Sequence, residues 1–384
     1  LRGHPPPARA KSGRLNPRVL ILTAGYGEGH NTAARCLAAA FKHLRPDLET
    51  EVVDPYGACY GKMNDFVRRA YISAINKTPR LWRMVYWVMD KTPLVTSLQW
   101  TSARMEHWLA DKLEREKPAV ICSTFPAYNF TLARIFRNGR SFPFVQGTIV
   151  TDSISINSLW IRGRSDVYYV PNADTARVVV EKGLPRASVE SFGFPVQLAF
   201  ALPGLRVEPP PLEDGRVKVL YILNSGKARA PQQVRCLLRN PAIDLTLAVG
   251  RDEKLRAQLQ EVTAAQSDRV TFVGWTDQMP QLLMSHHVLI TKAGGATVQE
   301  ALAAGCPLLL NQVVPGQEEG NWFLIRDNDW GALEGDPEKL AGVLEAALEN
   351  GAAGLKRWRE RILQHHQPDA ALRIAEDLIK RAGL

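Results

Sequence analysis

Two successive series of short apolar runs, each run followed by a stretch of helical periodicity, narrow the folds open to this chain more than any other feature. In the first series RVLILTA (18–24) reads as a buried strand, TAARCLAAAF (32–41) as a helix of strong helix formers, and TEVVDP (50–55) as a second strand. Strand, helix and strand in that order make a parallel βαβ unit covered by helices. AVICST (119–124), PFVQGTIV (143–150) and DVYYV (166–170) extend the same sheet. The second series is VKVLYIL (217–223), DLTLAVG (244–250), RVTFVG (269–274), HVLIT (287–291) and PLLLN (307–311). Between them, ALPGLRVEPPPLEDG (201–215) gathers prolines and glycines that no regular element passes through unbroken. The pattern predicts an α/β chain of two doubly wound, Rossmann-like domains, 17–204 and 216–367, joined by a linker at 205–215. Helical spacing in PDAALRIAEDLIKRAGL makes 368–384 a packed terminal helix.

At 384 residues the chain is too long for one ordinary core, and 45% hydrophobic against 23% charged residues excludes disorder as its dominant state. A formal net charge of +9 favours anionic partners: phosphates, nucleotides, nucleic acid or acidic headgroups. The basic residues are dispersed and no nucleic-acid motif is present, which argues against nucleic acid. The five cysteines are far apart and form no CxxC pair, so they read as reduced, buried residues of a cytoplasmic protein. No apolar run approaches the roughly 18–20 residues that span a bilayer. Residues 1–16 carry basic residues and prolines without a signal peptide's apolar stretch, and read as a flexible basic arm.

A long insertion, 60–117, separates the second and third strands of the first domain. It interleaves Trp82, Trp87, Trp100 and Trp108 with Arg68, Arg69, Lys77, Arg80, Arg83 and Lys91. Residues 81–89 are apolar around nearly the whole helix circumference, which requires burial on all sides or a non-aqueous neighbour. Two readings stand: a helix buried between neighbours, or an interfacial surface in which Trp82, Arg83, Trp87 and Trp100 meet anionic lipid.

Three segments carry chemistry. The first βα turn, Thr23 to Asn31, places Gly25, Gly27 and Gly29 on alternate positions between a strand and a helix, where a ligand can approach the backbone and free amides favour negative charge. The spacing is neither GxGxxG nor Walker A, so a nicotinamide cofactor and a P-loop are disfavoured. His30, at the end of this turn, is a candidate base near neutral pH. In the second segment a strand ends at Thr291 and a helix begins near Ala296, so Gly294, Gly295, Ala296 and Thr297 can cradle a diphosphate. Glu300, one turn further, can accept from two ribose hydroxyls. The third segment, Val314 to Asn321, sets Gln317, Glu318 and Asn321 in a polar turn after PLLLN, suited to the hydroxyls of a sugar.

TAGYGEGHNTAA, GTIVTDSISINSLW, YYVPNADT, GFPV, ITKAGGATVQEALAAGCPLLL and VPGQEEGN follow in that order between about 18 and 365. Together they resemble the monogalactosyldiacylglycerol synthases and bacterial processive diacylglycerol glucosyltransferases of glycosyltransferase family 28. The resemblance implies a GT-B fold, two Rossmann-like domains facing across a cleft, with UDP-sugar on the C-terminal one and a lipid acceptor reached through the N-terminal one. By position, Gly294 to Thr297 would face the diphosphate, Glu300 the ribose, and Gln317, Glu318 and Asn321 the sugar. His30 would be the general base or a transition-state contact, and Asp152 a second candidate or the residue that orients the base. The reaction so implied is inverting transfer of a hexose from a UDP-sugar to a lipid hydroxyl, diacylglycerol first, by a protein held peripherally on the inner face of the cell membrane. UDP-sugar is then a substrate, and neither a cofactor nor a metal is called for if amides and helix dipoles carry the leaving group.

Three positions depart from the family's pattern. Asn157 stands where a histidine usually precedes the tryptophan, Asn224-Ser225-Gly226-Lys227 replaces a glycine-rich turn, and Gly294-Gly295 replaces Gly-Pro or Gly-Ala. They keep two alternatives open: transfer of N-acetylglucosamine to another lipid or a small acceptor, or a degenerate GT-B protein that binds a nucleotide-sugar without turnover. Asp327-Asn328-Asp329 imitates a metal-binding DxD but matches the family's turn after a helix, and the remaining histidines lack metal-ligand spacing.

Overall fold

A computed structural model describes residues 17–77, 103–137, 143–212, 215–224, 226–316 and 318–384. The basic arm 1–16 and the four insertion residues Trp82, Arg83, Trp87 and Trp100 lie outside them.

The chain forms two parallel six-stranded sheets. The first holds β1 (Arg18–Leu22), β2 (Glu49–Val53), β3 (Val120–Ser123), β4 (Val145–Ile149), β5 (Val167–Tyr169) and β6 (Val189–Glu190), in the order β2-β1-β3-β4-β5-β6. The second holds β7 (Val217–Ile222), β8 (Ile243–Gly250), β9 (Val270–Gly274), β10 (Val288–Lys292), β11 (Leu308–Gln312) and β12 (Gly331–Leu333), in the order β12-β11-β10-β7-β8-β9. Continuous apolar runs make such strands because both faces are covered. Val19 and Ile21 pack with Ala33, Leu37 and Phe41 of the helix Glu28–Leu44, while Leu20 and Leu22 face Met105, Leu109 and Tyr128 on the other side. Each such side chain contributes roughly 1.5–3 kcal/mol by leaving water. β6 and β12, two and three residues long, are absent from the sequence reading because periodicity needs a longer window.

The strand order reverses between β1 and β3 in the first sheet and between β7 and β10 in the second. Ligands of open α/β sheets bind at the carboxyl ends of strands at such reversals. Here the loops after β1 and β4 face those after β7 and β10, so two ligand-binding edges share one cleft.

The chain end ties the halves together. The helix Ala370–Arg381 returns to the first domain, where Gly147 leaves room for Leu378 and Tyr169 donates to Asp377 Oδ2 at 2.6 Å. Apolar residues of both domains then merge into one buried cluster, with Ile21 and Leu37 from the first and Val298, Ala301 and Leu324 from the second. One hydrogen bond and one close backbone approach seal the seam near the cleft. Gln299 Nε2 donates to Ser153 Oγ at 3.1 Å, and Gly320 lies so close to the turn Ser153–Ser155 that a Cβ there would sit 1.9 Å from the Ser153 carbonyl oxygen.

Candidate active site

The cleft between the two reversals has a volume of about 350 Å³. The first domain supplies Gly27 to His30 with Thr151 and Asp152; the second supplies Asn224, Lys292, Gly294 to Thr297, Glu318 and Asn321.

His30 sits in the first turn of the helix Glu28–Leu44. Its Nδ1 lies 2.7 Å from the Thr124 carbonyl oxygen, with Thr151 Oγ1 at 2.9 Å. A carbonyl can only accept, so Nδ1 carries the proton and the Nε2 lone pair is left for chemistry. Burial pushes the imidazole down to about 4, against the bond to Thr124, so it is neutral across the physiological range. Asp152 is engaged by another partner: Trp160 Nε1 donates to Oδ2 at 2.7 Å, and burial pushes the carboxyl up to about 6. The contacts orienting His30 therefore come from Thr124 and Thr151. Asp152 lines the same cleft as a second ionisable group.

None of the three glycines of this turn adopts a positive φ. Gly27 is extended and precedes the helix, whose first amides have no side-chain cap. A Cβ on Gly27 would stand 3.7 Å from the His30 ring, an ordinary contact, so neither a clash nor an unusual backbone angle calls for glycine there. Gly25 lies off the cleft wall, with its amide donating to Asp54 Oδ2 at 3.3 Å.

Across the cleft the helix Gly295–Ala304 presents the amides of Gly295, Ala296 and Thr297, again without a side-chain cap. An uncapped N-terminus carries about half a positive charge, and two such ends border the same space. Lys292, at the end of β10, adds a full charge and pairs with Glu318 Oε1. Glu318 Oε2 accepts from the Val314 amide at 3.0 Å, and Asn321 Nδ2 donates to the Ala293 carbonyl at 2.9 Å. The second and third segments are thus one hydrogen-bonded unit. Glu318 and Asn321 hold the glycine loop in place as well as lining the cleft, and Gln317 is outside the described residues. Glu300 lies one turn beyond the cleft wall, half-buried, where burial pushes it up to about 7 against the pull of Arg35.

The departure at position 157 has a structural role. Asn157 Oδ1 accepts from the Leu159 amide at 3.0 Å, capping the turn that carries Trp160 to Asp152. Asn224 is exposed on the cleft wall, and Ser225 is outside the described residues. The Asp329 carboxylate is occupied by Trp358 and Arg357, away from the cleft. All five cysteines are buried and unbridged.

Sequence reasoning missed Lys292 and Thr151. A lysine after an apolar strand reads as a surface residue; its place just before two glycines was the available signal. Thr151 carried none, because its role depends on a histidine 121 positions away.

Residues 30–196 match the family described as monogalactosyldiacylglycerol (MGDG) synthase, and residues 229–350 match glycosyl transferases group 1. Proteins named processive diacylglycerol beta-glucosyltransferase from Bacillus mycoides (strain KBAB4) and Bacillus thuringiensis (strain Al Hakam) are 25% and 24% identical to it, over 95% of this chain and 94% of theirs. Acinetobacter baumannii MurG superposes with a TM-score of 0.61 at 14% identity, covering 95% of this chain and 99% of that one. The S. aureus MnaA–UDP co-structure gives 0.59 at 14%, covering 96% and 97%. These likenesses show the fold as GT-B.

Proposed function

We propose that this chain, a UDP-sugar-dependent glycosyltransferase that resembles the monogalactosyldiacylglycerol synthases and processive diacylglycerol glucosyltransferases, transfers a hexose with inversion to the hydroxyl of diacylglycerol. The observation that carries the reading is the cleft itself. It sets a neutral histidine with a free Nε2 on one wall opposite Lys292 and an uncapped helix N-terminus on the other.

In this reading the diphosphate of the donor lies against the amides of Gly295 to Thr297 and against Lys292. Glu300 accepts from the ribose hydroxyls, and Glu318 with Asn321 meets the sugar. His30 Nε2 takes the proton of the acceptor hydroxyl as its oxygen attacks the anomeric carbon from the face opposite UDP. The bond from that carbon to the diphosphate oxygen breaks, UDP departs with the electron pair, and the configuration inverts. The leaving charge grows where the helix end and Lys292 already point, and the ionised Asp152 on the His30 wall steadies the imidazolium by its charge.

The acceptor side suits a lipid. Tyr26, Tyr56, Phe125 and Tyr128 form an aromatic cluster under the glycine-rich turn, with the Phe125 ring 5.2 Å from that of His30. Tyr26 donates to Asn64 Oδ1 at 2.9 Å, tying the turn to the helix Pro55–Lys77. That helix leaves Met63, Phe66 and Val67 exposed at helical spacing, Phe66 by 70%. No described helix is long and apolar enough to cross a membrane. An apolar helix face tied to the glycine-rich turn supports peripheral attachment to a membrane, and the net charge of +9 favours an anionic surface such as the inner face of the cell membrane.

Replacing His30 by Ala tests the base. Turnover falls on the order of 100-fold or more while UDP affinity stays within about threefold. Normal turnover in that variant removes His30 from the chemistry.

A further inference from the structure

A second cavity, of about 450 Å³, bridges the domains, and none of its lining residues lines the catalytic cleft. The turn Ser153–Ser155 connects the two spaces. Its Ser153 hydroxyl accepts from Gln299 on the cavity wall, and its Ile154 amide donates to Thr175 Oγ1 at 3.0 Å. Thr175 in turn donates to Oδ1 of Asn172, a second wall residue. The turn is strained: Ile154 is β-branched yet has a φ of +56°, and the Ser155 amide folds back onto the Ser153 carbonyl at 2.6 Å.

The wall chemistry is that of an anion site with hydroxyl partners. Arg373 lies over the Phe192 ring, 4.5 Å from its centroid, which fixes the plane of the guanidinium. His365 and His366 each direct Nδ1 at a backbone carbonyl, at 3.1 and 2.7 Å, so Nε2 is the free nitrogen of both rings. Trp330, only 5% exposed, has an indole N–H with no partner, and Asn172 Nδ2 has none either. Buried donors without acceptors are costly and are normally satisfied. The acidic residue on the wall, Asp174, is paired with Arg177. The carboxamides of Asn172, Gln299 and Gln367 supply donors and acceptors that match hydroxyl groups.

The geometry points to a binding site for a hydroxylated phosphate ester of sugar-phosphate size, whose occupancy bridges the two domains and steadies the Asp152 turn. Volume, the Arg373 guanidinium, imidazole Nε2 atoms that accept from hydroxyls, and carboxamides together favour such a molecule over an apolar one. A ligand touching both domains stabilises the closed arrangement by its preference for it, and the donor then binds more tightly.

The test is calorimetric titration of the full chain with glucose 1-phosphate and with glycerol 3-phosphate, each with the catalytic cleft first saturated by UDP. The expected result is one further equivalent bound, an affinity at least 10-fold weaker in Arg373→Gln, and UDP affinity raised about fivefold or more when the second ligand is present. UDP titration of the same variant reports whether it is folded. Where it is not, His366→Ala carries the same expectation. No binding of either ester, or binding unchanged in the folded variants, overturns the site; unchanged UDP affinity in the presence of bound ester overturns its effect on the turn. Failure of UDP itself to bind refutes the donor reading; the esters are then titrated without UDP, where one equivalent bound and weakened at least 10-fold in Arg373→Gln supports the site and no binding overturns it.

Discussion

Gly320 offers a perturbation whose sign separates the closed-seam account from local helix physics. It lies in the first turn of the helix Glu319–Asn328, and a Cβ at this position would sit 1.9 Å from the Ser153 carbonyl oxygen and 2.7 Å from the Ser155 amide nitrogen. Both are backbone atoms, so no rotamer relieves the overlap. Bringing the closest approach to the 3.0 Å that real Cβ atoms respect requires the helix and the turn to separate by about 1.1 Å. Those two elements belong to different domains, one next to Glu318 and the other next to Asp152, so the displacement falls on the cleft. In an isolated helix Gly→Ala stabilises by about 1 kcal/mol. Overpacking costs about 1–3 kcal/mol, and a misplacement near 1 Å costs on the order of 100-fold in rate. Gly320→Ala therefore lowers both Tm and kcat/KM, the latter by about two orders of magnitude, measured by thermal unfolding and by UDP release. A variant with raised Tm and normal kcat/KM would refute the seam as the element that sets the active geometry.

Lys292→Ala and Glu300→Ala each weaken UDP binding by roughly 1–3 kcal/mol, read by calorimetry; unchanged affinity removes the residue concerned from the donor site. The pH profile follows from Asp152, whose carboxyl is pushed up to about 6 by burial while His30 is pushed down to about 4. With the ionised carboxylate and the neutral imidazole as the active pair, kcat at saturating donor rises with pH through about 6, while Glu300, pushed up to about 7 by burial, acts on donor binding and is read in KM. In Asp152→Asn that limb disappears; a profile still rising near 6 in the variant assigns it to another group.

The sheets were legible because strands buried on both faces leave continuous apolar runs, as in Val19 to Leu22, and because glycines punctuate the ends of β1 and β10. The cleft walls were legible for the same reason, since His30 and Gly294 to Thr297 follow directly from those strand ends. What escaped depends on contacts across long separations. Thr124 and Thr151 orient His30 from just beyond the ends of two other strands, and no local pattern marks them. Asn157 read as a missing catalytic histidine until its bond to the Leu159 amide gave it a capping role. Gly320 looked like part of a polar sugar loop, and only the assembled seam shows why a side chain cannot stand there.

Acceptor-dependent transfer from a UDP-sugar is read most directly by UDP release from a panel of UDP-sugars, with and without diacylglycerol in anionic micelles. Release from one UDP-hexose is expected to depend on diacylglycerol and to fall at least 100-fold in His30→Ala. Tight UDP binding with no diacylglycerol-dependent release from any donor would contradict it.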